Sequence, residues 1–129
     1  MIVVDASAVL EVLLRTPSAA AIEEHLFTAG QSLHAPHLVD VEVAQVLRRY
    51  AAGGMIDAAR GDAALTDLAD LPMQRYPHDM LLRRAWALRH NLTAYDAVYV
   101  ALAEALGAPL LTRDRRLASA AGSVDVIVA

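Results

Sequence analysis

The sequence predicts an α/β fold built on a central parallel sheet, and three observations lead there. Short apolar runs of strand length, such as Ile2-Val3-Val4 and Leu110-Leu111, alternate with longer stretches whose apolar residues recur at helical spacing. Four acidic residues, Asp5, Glu42, Asp96 and Asp114, fall where strands end or helices begin. The 129 residues suffice for a real core, and no linker, repeat or low-complexity tail divides them, so residues 1–129 read as a single domain. Strands alternating with helices imply helices on both faces of the sheet, with ligands bound beyond the carboxyl ends of the strands at the topological switch point.

Residues 2–5 read as a buried strand, since three apolar residues precede the first charge. Val9, Leu10, Leu13 and Leu14 give a helix over 6–14. Pro17 interrupts it, and Ser18 is placed to cap a second helix running to about residue 27. Gly30 and Pro36 bracket a short strand over 32–35. An amphipathic helix over 38–52 stops at Gly53-Gly54, and a polar one follows over 57–71. A strand over 73–76 ends before Pro77. Helices are expected over 79–90 and 94–106, the second closed by Gly107. A strand over 110–112, a short helix from Arg115 and a last strand over 124–128 complete the order.

Composition limits the function classes. Hydrophobic residues make up 57% of the chain, and the mean hydropathy is +0.37, which suggests apolar surface covered by a partner. The longest apolar runs fall far short of the ~20 residues of a membrane span. Met1-Ile2-Val3-Val4-Asp5 reads as a strand rather than a signal peptide. The absence of cysteine excludes disulfide and thiolate chemistry and suits a cytoplasmic protein. All 11 basic residues are arginine, and the net charge of -4 argues against a broadly basic nucleic-acid surface. It leaves room for a nuclease, because metal-binding carboxylates contribute negative charge that a cation offsets.

Most of the 15 acidic residues have ordinary explanations. Glu11 stands four residues before Arg15, a helical ion-pair spacing. Glu23 and Glu24 suit a solvent face, and Asp57, Asp62, Asp67 and Asp70 decorate one polar helix. Asp79 suits a first helical turn. Glu104 and Asp125 have no evident partner. Asp5, Glu42 and Asp96 differ because their neighbours are apolar, and a buried charge is costly unless paired or bound to metal. Glu42 is preferred to Asp40, which stands early enough to serve the helix dipole. Carboxylates so placed suit a divalent cation and phosphodiester chemistry.

The segments 2–10 (IVVDASAVL), 41–49 (VEVAQVLRR), 93–103 (TAYDAVYVALA) and 110–117 (LLTRDRRL) together resemble PIN-domain ribonucleases, in particular the VapC toxins of toxin–antitoxin pairs. The resemblance covers essentially the whole chain. It implies a PIN-like three-layer α/β/α sandwich and carries the family's catalytic and metal-binding acids onto Asp5, Glu42, Asp96 and Asp114. It further implies Mg2+ or Mn2+ as cofactor, a structured RNA such as tRNA or rRNA as substrate, a VapB-like antitoxin and a homodimer.

Around the acids, Ser7 and Thr112 match small hydroxyl positions of the family. Ser7 has two readings, a hydrogen bond to a carboxylate or a helix cap; Thr112 is either a hydrogen-bond donor to the site or an ordinary strand end. Arg113, Arg115 and Arg116 could contact RNA phosphate or line a solvated turn, and Tyr95 could stack on a base. Tyr99 and Trp86 read as core or interface residues. His34 and His37 flank Pro36 in a loop and do not make a zinc site. Two other functions fit the residues less well: a phosphatase or phospho-acceptor domain with Asp5 as nucleophile, which usually has a second Asp where Ser7 stands, and a non-catalytic interaction module.

Overall fold

The computed structural model describes residues 1–129. Its five strands, β1 (Ile2–Val4), β2 (Leu33–Pro36), β3 (Met73–Tyr76), β4 (Leu110–Thr112) and β5 (Val126–Val128), form one all-parallel sheet in the order β3-β2-β1-β4-β5. The helices are α1 (Ala6–Leu14), α2 (Ala19–Leu26), α3 (Leu38–Ala52), α4 (Ala58–Asp70), α5 (Leu82–Ala87), α6 (Ala94–Leu106) and α7 (Arg115–Ala120). The chain winds outward from β1 through β2 to β3, then crosses back to lay β4 and β5 on the other side. Right-handed crossovers then put α1 to α4 on one face and α5 to α7 on the other, the α/β/α sandwich expected. The winding reverses between β1 and β4, where Val3 pairs with Leu110 and Val4 with Leu111. That is the switch point at which such sheets bind ligands.

Burial follows from this topology. β1 and β4 are central and covered on both faces, so Ile2, Val3, Val4, Leu110 and Leu111 are all buried. The central helix α6 contributes an unbroken buried run from Ala97 to Ala103 and packs on β1, β2 and β4. Gly107 closes it in the left-handed conformation at φ 61°, with its N–H donating to the carbonyls of Ala103 and Glu104. No helix is long and apolar enough to cross a membrane.

Several local expectations are corrected. The helix expected over 79–90 shrinks to Leu82–Ala87: the Leu81 N–H bonds to the His78 carbonyl ahead of it, and Arg89 and Asn91 bond to carbonyls three residues back after it. Tight turns thus replace both ends. Ser18 precedes α2 without a side-chain capping bond. Glu11 does not pair with Arg15, which ends α1 in the left-handed conformation at φ 53°; it accepts from Thr16 Oγ1 and lies 3.8 Å from Arg113 instead. Glu104 does have a partner, a two-pronged bond from Arg84 at 2.9 and 3.1 Å. Of the two readings of Trp86, core or interface, the core one is corrected: the residue is 68% exposed, with the Arg89 guanidinium 4.5 Å from its ring centre.

Asp40 and Glu42 separate as two residues apart on a helix must. Asp40 turns to β3, where Arg75 Nε and Nη2 donate to its carboxylate at 2.8–3.1 Å. The same guanidinium donates to the carbonyls of Leu68 and Met73 and so ties α3, α4 and β3 together. Replacing Arg75 by Met strands those acceptors. Arg75→Met should cost about 2 kcal/mol in urea unfolding while leaving activity per folded molecule unchanged. An unchanged unfolding midpoint would show that the cluster adds nothing to stability.

Candidate active site

Parallel strands end where the next helices begin, so helix N-termini gather along the carboxyl edge of the sheet. Asp5 is the N-cap of α1, accepting from the Ala8 N–H at 3.3 Å; Asp114 is the N-cap of α7, accepting from the Arg116 N–H at 3.0 Å. Asp96 lies in the first turn of α6, whose cap Thr93 accepts from the Asp96 N–H. Glu42 lies farther into α3, on the face opposite that used by Asp40. All four carboxylates line one cavity of about 690 Å³, together with Ser7, Tyr95, Tyr99 and Arg113. The positive ends of four helices converge there, a favourable setting for anions.

The sequence-derived residues thus come together, with distinct roles. Asp5 is only 7% exposed, and both of its oxygens are held. Ser7 Oγ donates to Oδ1 at 2.6 Å, and Thr112 Oγ1, fully buried, donates to Oδ2 at 2.5 Å. This resolves the two readings of Ser7, because Asp5, not Ser7, caps α1. Each hydroxyl also accepts a main-chain N–H, Ser7 from Arg113 and Thr112 from Asp114, both at 3.0 Å. Their protons therefore have nowhere to point but Asp5. Tyr95 is 63% exposed at the cavity mouth. Arg116 forks onto Asp114 at 3.0 and 3.2 Å, Arg113 reaches the Ala129 carbonyl at 2.7 Å, and Arg115 is exposed and unpaired.

Two residues at the site carried no signal in the sequence. Glu11 is a fifth carboxylate lining the cavity. Tyr99, with the apolar neighbours of a core residue, is 2% exposed, yet its hydroxyl donates to Glu42 Oε1 at 2.6 Å. His34 and His37 form no site: the ring nitrogens of His34 engage Tyr76 and Ser32, and the nearest ring to His37 is that of His78.

The electrostatics are those of an anionic site short of positive charge. Burial pushes the Asp5 pKa above its usual range, despite the opposing bonds from Ser7, Thr112 and Ala8. Burial also raises Glu42, the Tyr99 bond works against that, and the charges of Asp5 and Asp96 add to the rise. Asp96 is raised by burial and then by the charge of Asp114. Asp114 runs the other way, its pKa lowered by the Arg116 hydrogen bond. Burial, then the Glu42 charge, keeps the Tyr99 phenol protonated and a donor.

The donor chemistry fits a hard divalent cation, since all four acids offer oxygen and a dication would relieve the repulsion among them. No three of the side chains converge closely enough to grip one ion directly. The fit is to an ion that retains part of its water shell, as Mg2+ and Mn2+ do.

Comparison with known proteins agrees with this geometry. The family model for the PIN domain matches residues 2–123, and the chain belongs to the PIN-domain family. Within the family it falls among VapC ribonucleases: it is 50% identical over 117 residues to ribonuclease VapC9 of Mycobacterium tuberculosis, which covers 91% of this chain and 88% of the relative. Two solved structures share the fold at low identity. VapBC2 of Rickettsia felis, bound to a promoter DNA fragment, has a TM-score of 0.75 at 11% identity over 100% of this chain and 99% of that one. VapC20 of Mycobacterium tuberculosis, described as a sarcin–ricin loop cleaving toxin, has a TM-score of 0.71 at 19% identity over 98% of each chain.

The raised carboxylates have a consequence for stability. A group whose pKa is higher in the folded than the unfolded chain penalises folding as pH rises past the unfolded value, 3.8 for Asp96, and the penalty is complete above the folded value. Asp96→Asn removes the charge and keeps the backbone N–H that donates to Thr93 Oγ1. In metal-free buffer its Tm should exceed that of the wild type by roughly 2–5 °C at pH 7, with the gap closing towards pH 4. A gap independent of pH would show that charge at Asp96 is not the cause.

Proposed function

We propose that this chain is an Mg2+- or Mn2+-dependent endoribonuclease and the toxin of a toxin–antitoxin pair, with a structured RNA such as tRNA or rRNA as substrate. The gathering of Asp5, Glu42, Asp96 and Asp114 around one cavity carries this reading, in a chain whose relatives are VapC ribonucleases. Those four residues would hold the cation, in part through water it retains, and the bound ion would supply Lewis acidity to the phosphate and lower the pKa of a coordinated water. The chain does the rest. Ser7 and Thr112 orient Asp5. Arg113, Arg115 and Arg116, on and beside the turn between β4 and α7, attract the RNA backbone, and Tyr95 offers an exposed ring at the mouth for base stacking.

The surface offers a place for each proposed protein partner. A second groove, of about 580 Å³, runs between α1, α2 and α4, with Val12, Leu13, Ala19 and Phe27 among its walls and Glu23 and Asp67 beside them. It suits a short amphipathic antitoxin helix, from which an extended arm could carry an arginine to the acids. Homodimerisation has an apolar face available where Met80, Leu82 and Trp86 lie exposed. The compartment proposed is the cytoplasm.

The phosphatase reading weakens because Asp5 is buried with both oxygens occupied, a poor disposition for a nucleophile. A non-catalytic module leaves unexplained why four carboxylates gather around one cavity. RNA cleavage by the purified chain separates all three readings. Cleavage should require Mg2+ or Mn2+, vanish in EDTA, find little support from Ca2+, and fall to background in Asp96→Asn. Cleavage that survives chelation, or yields 2′,3′-cyclic phosphates, would make the 2′-hydroxyl the nucleophile and overturn the mechanism.

The toxin role is tested in cells. Expression of the chain alone in its native host or a close relative should arrest growth, and co-expression of a small protein encoded beside it should restore growth. Normal growth with soluble protein accumulating and an unchanged RNA profile would leave a ribonuclease fold without a toxin's role.

A further inference from the structure

We propose that Tyr99 is a positioning residue, whose buried hydroxyl fixes Oε1 of Glu42 and leaves Oε2 as the oxygen offered to the cation. The inference rests on the metal-dependent reading above and deepens it. Glu42 stands in the fifth position of α3 and has a long side chain, so an unrestrained carboxylate would have to be ordered at each binding event, at a cost in rotamer entropy. Tyr99 removes that freedom beforehand. Its hydroxyl lies 2.6 Å from Oε1, and Oε2 accepts no hydrogen bond from the protein.

The tyrosine is itself immobile. It is 2% exposed in the buried run of α6, the helix packed on β1, β2 and β4. Phenylalanine would fill the same volume without a polar atom to satisfy, so packing alone does not account for the hydroxyl. Asp96 and Tyr99 are three residues apart and share a face of α6. One rigid helix therefore presents a carboxylate of its own and holds a second belonging to α3. The arrangement parallels that of Asp5, whose oxygens are held by Ser7 and Thr112. All three restraints come from neutral hydroxyls, which orient a carboxylate without competing with a cation for its charge.

The test is a thermodynamic cycle on the purified full-length protein, with Mn2+ affinity read by titration calorimetry in wild type, Tyr99→Phe, Glu42→Ala and the double variant. Tyr99→Phe should weaken Mn2+ binding roughly tenfold. It should lower kcat at saturating metal while RNA KM stays within about twofold, the signature of a group that does not bind substrate. In the Glu42→Ala background the same change should have no further effect on Mn2+ affinity. Wild-type affinity in Tyr99→Phe, or an equal loss in the Glu42→Ala background, overturns the inference and leaves the metal-dependent reading standing. Absence of Mn2+ binding in the wild type would remove that reading, and the inference with it. Melting curves for all four proteins detect a merely structural effect, which would appear as a loss of stability with unchanged affinity.

Discussion

The carboxylate of Asp5 is the constraint on which the rest of this molecule turns. A charge so nearly removed from water is costly, and the cost is met only by donors brought to it from separate parts of the chain. Ser7 and the Ala8 amide come from the start of α1, and Thr112 from the end of β4, 107 residues away in sequence. The two hydroxyls are oriented in turn by the amides of Arg113 and Asp114. One side chain thus joins the end of β1 to the turn after β4 across the switch point of the sheet. The donors do not fully offset burial, as the upward displacement of the Asp5 pKa shows. The residual strain is that of a site held ready for positive charge rather than one optimised for stability.

The other acids extend the same strain outward. Asp96 and Asp114 stand at helix starts, where aligned peptide dipoles favour their charge, and Glu42 stands one turn in; proximity to one another opposes the charge of all three. Glu42 feels Asp5 and Asp96, and Asp96 feels Asp114. The topology leaves no way round this, because parallel strands deliver all four helix starts to one edge. Of the four, only Asp114 is hydrogen-bonded to a cation, Arg116, and only its pKa moves down. A net charge of -4, read from composition as a bar to broad nucleic-acid binding, is partly concentrated in this one cavity. Positive charge at the cavity is correspondingly local, with Arg49 and Arg113 in its lining and Arg115 and Arg116 beside it.

Local patterns made most of this legible in the sequence. The limits of α1, α3, α6, β3 and β4 follow from strong periodicity, or from Pro, Gly and capping residues at their ends. Asp5, Glu42 and Asp96 stood out because short-range apolar neighbours predicted burial, and Asp114 because it follows the apolar strand run Leu110-Leu111. What escaped was long-range. Nothing near Tyr99 announces a glutamate 57 residues earlier, and an apolar helical stretch makes a tyrosine look like core. Arg75 and Asp40 are 35 residues apart and Arg84 and Glu104 are 20, so neither pair could be matched by local spacing. The expected Glu11–Arg15 pair had ideal spacing, yet Arg15 had already left the helix. Helical spacing brings two charges together only while both residues remain helical. The region 79–90 failed similarly, since its apolar pattern persists through turns that bond three residues back instead of four.

The four acids are not restrained alike, and the difference orders their behaviour towards a cation. Asp5 is fixed at both oxygens and Glu42 at one, in each case by a neutral hydroxyl. Neutral donors of that kind set direction while leaving the negative charge available. Asp114 is also held at both oxygens, but by a guanidinium whose side chain is 89% exposed. Exposed ion pairs are weak and readily exchanged, and a divalent ion at the site would compete with Arg116 for the same charge. Asp5 and Glu42, held by hydroxyls, therefore form the rigid floor of the site, and Asp114 is the member whose availability depends on where Arg116 points. A guanidinium displaced from Asp114 remains at the start of α7, beside the cavity, as a cation free to meet a phosphate. The same local segment that restrains the outermost acid is thus the one best placed to draw in the negatively charged strand on which the site would act.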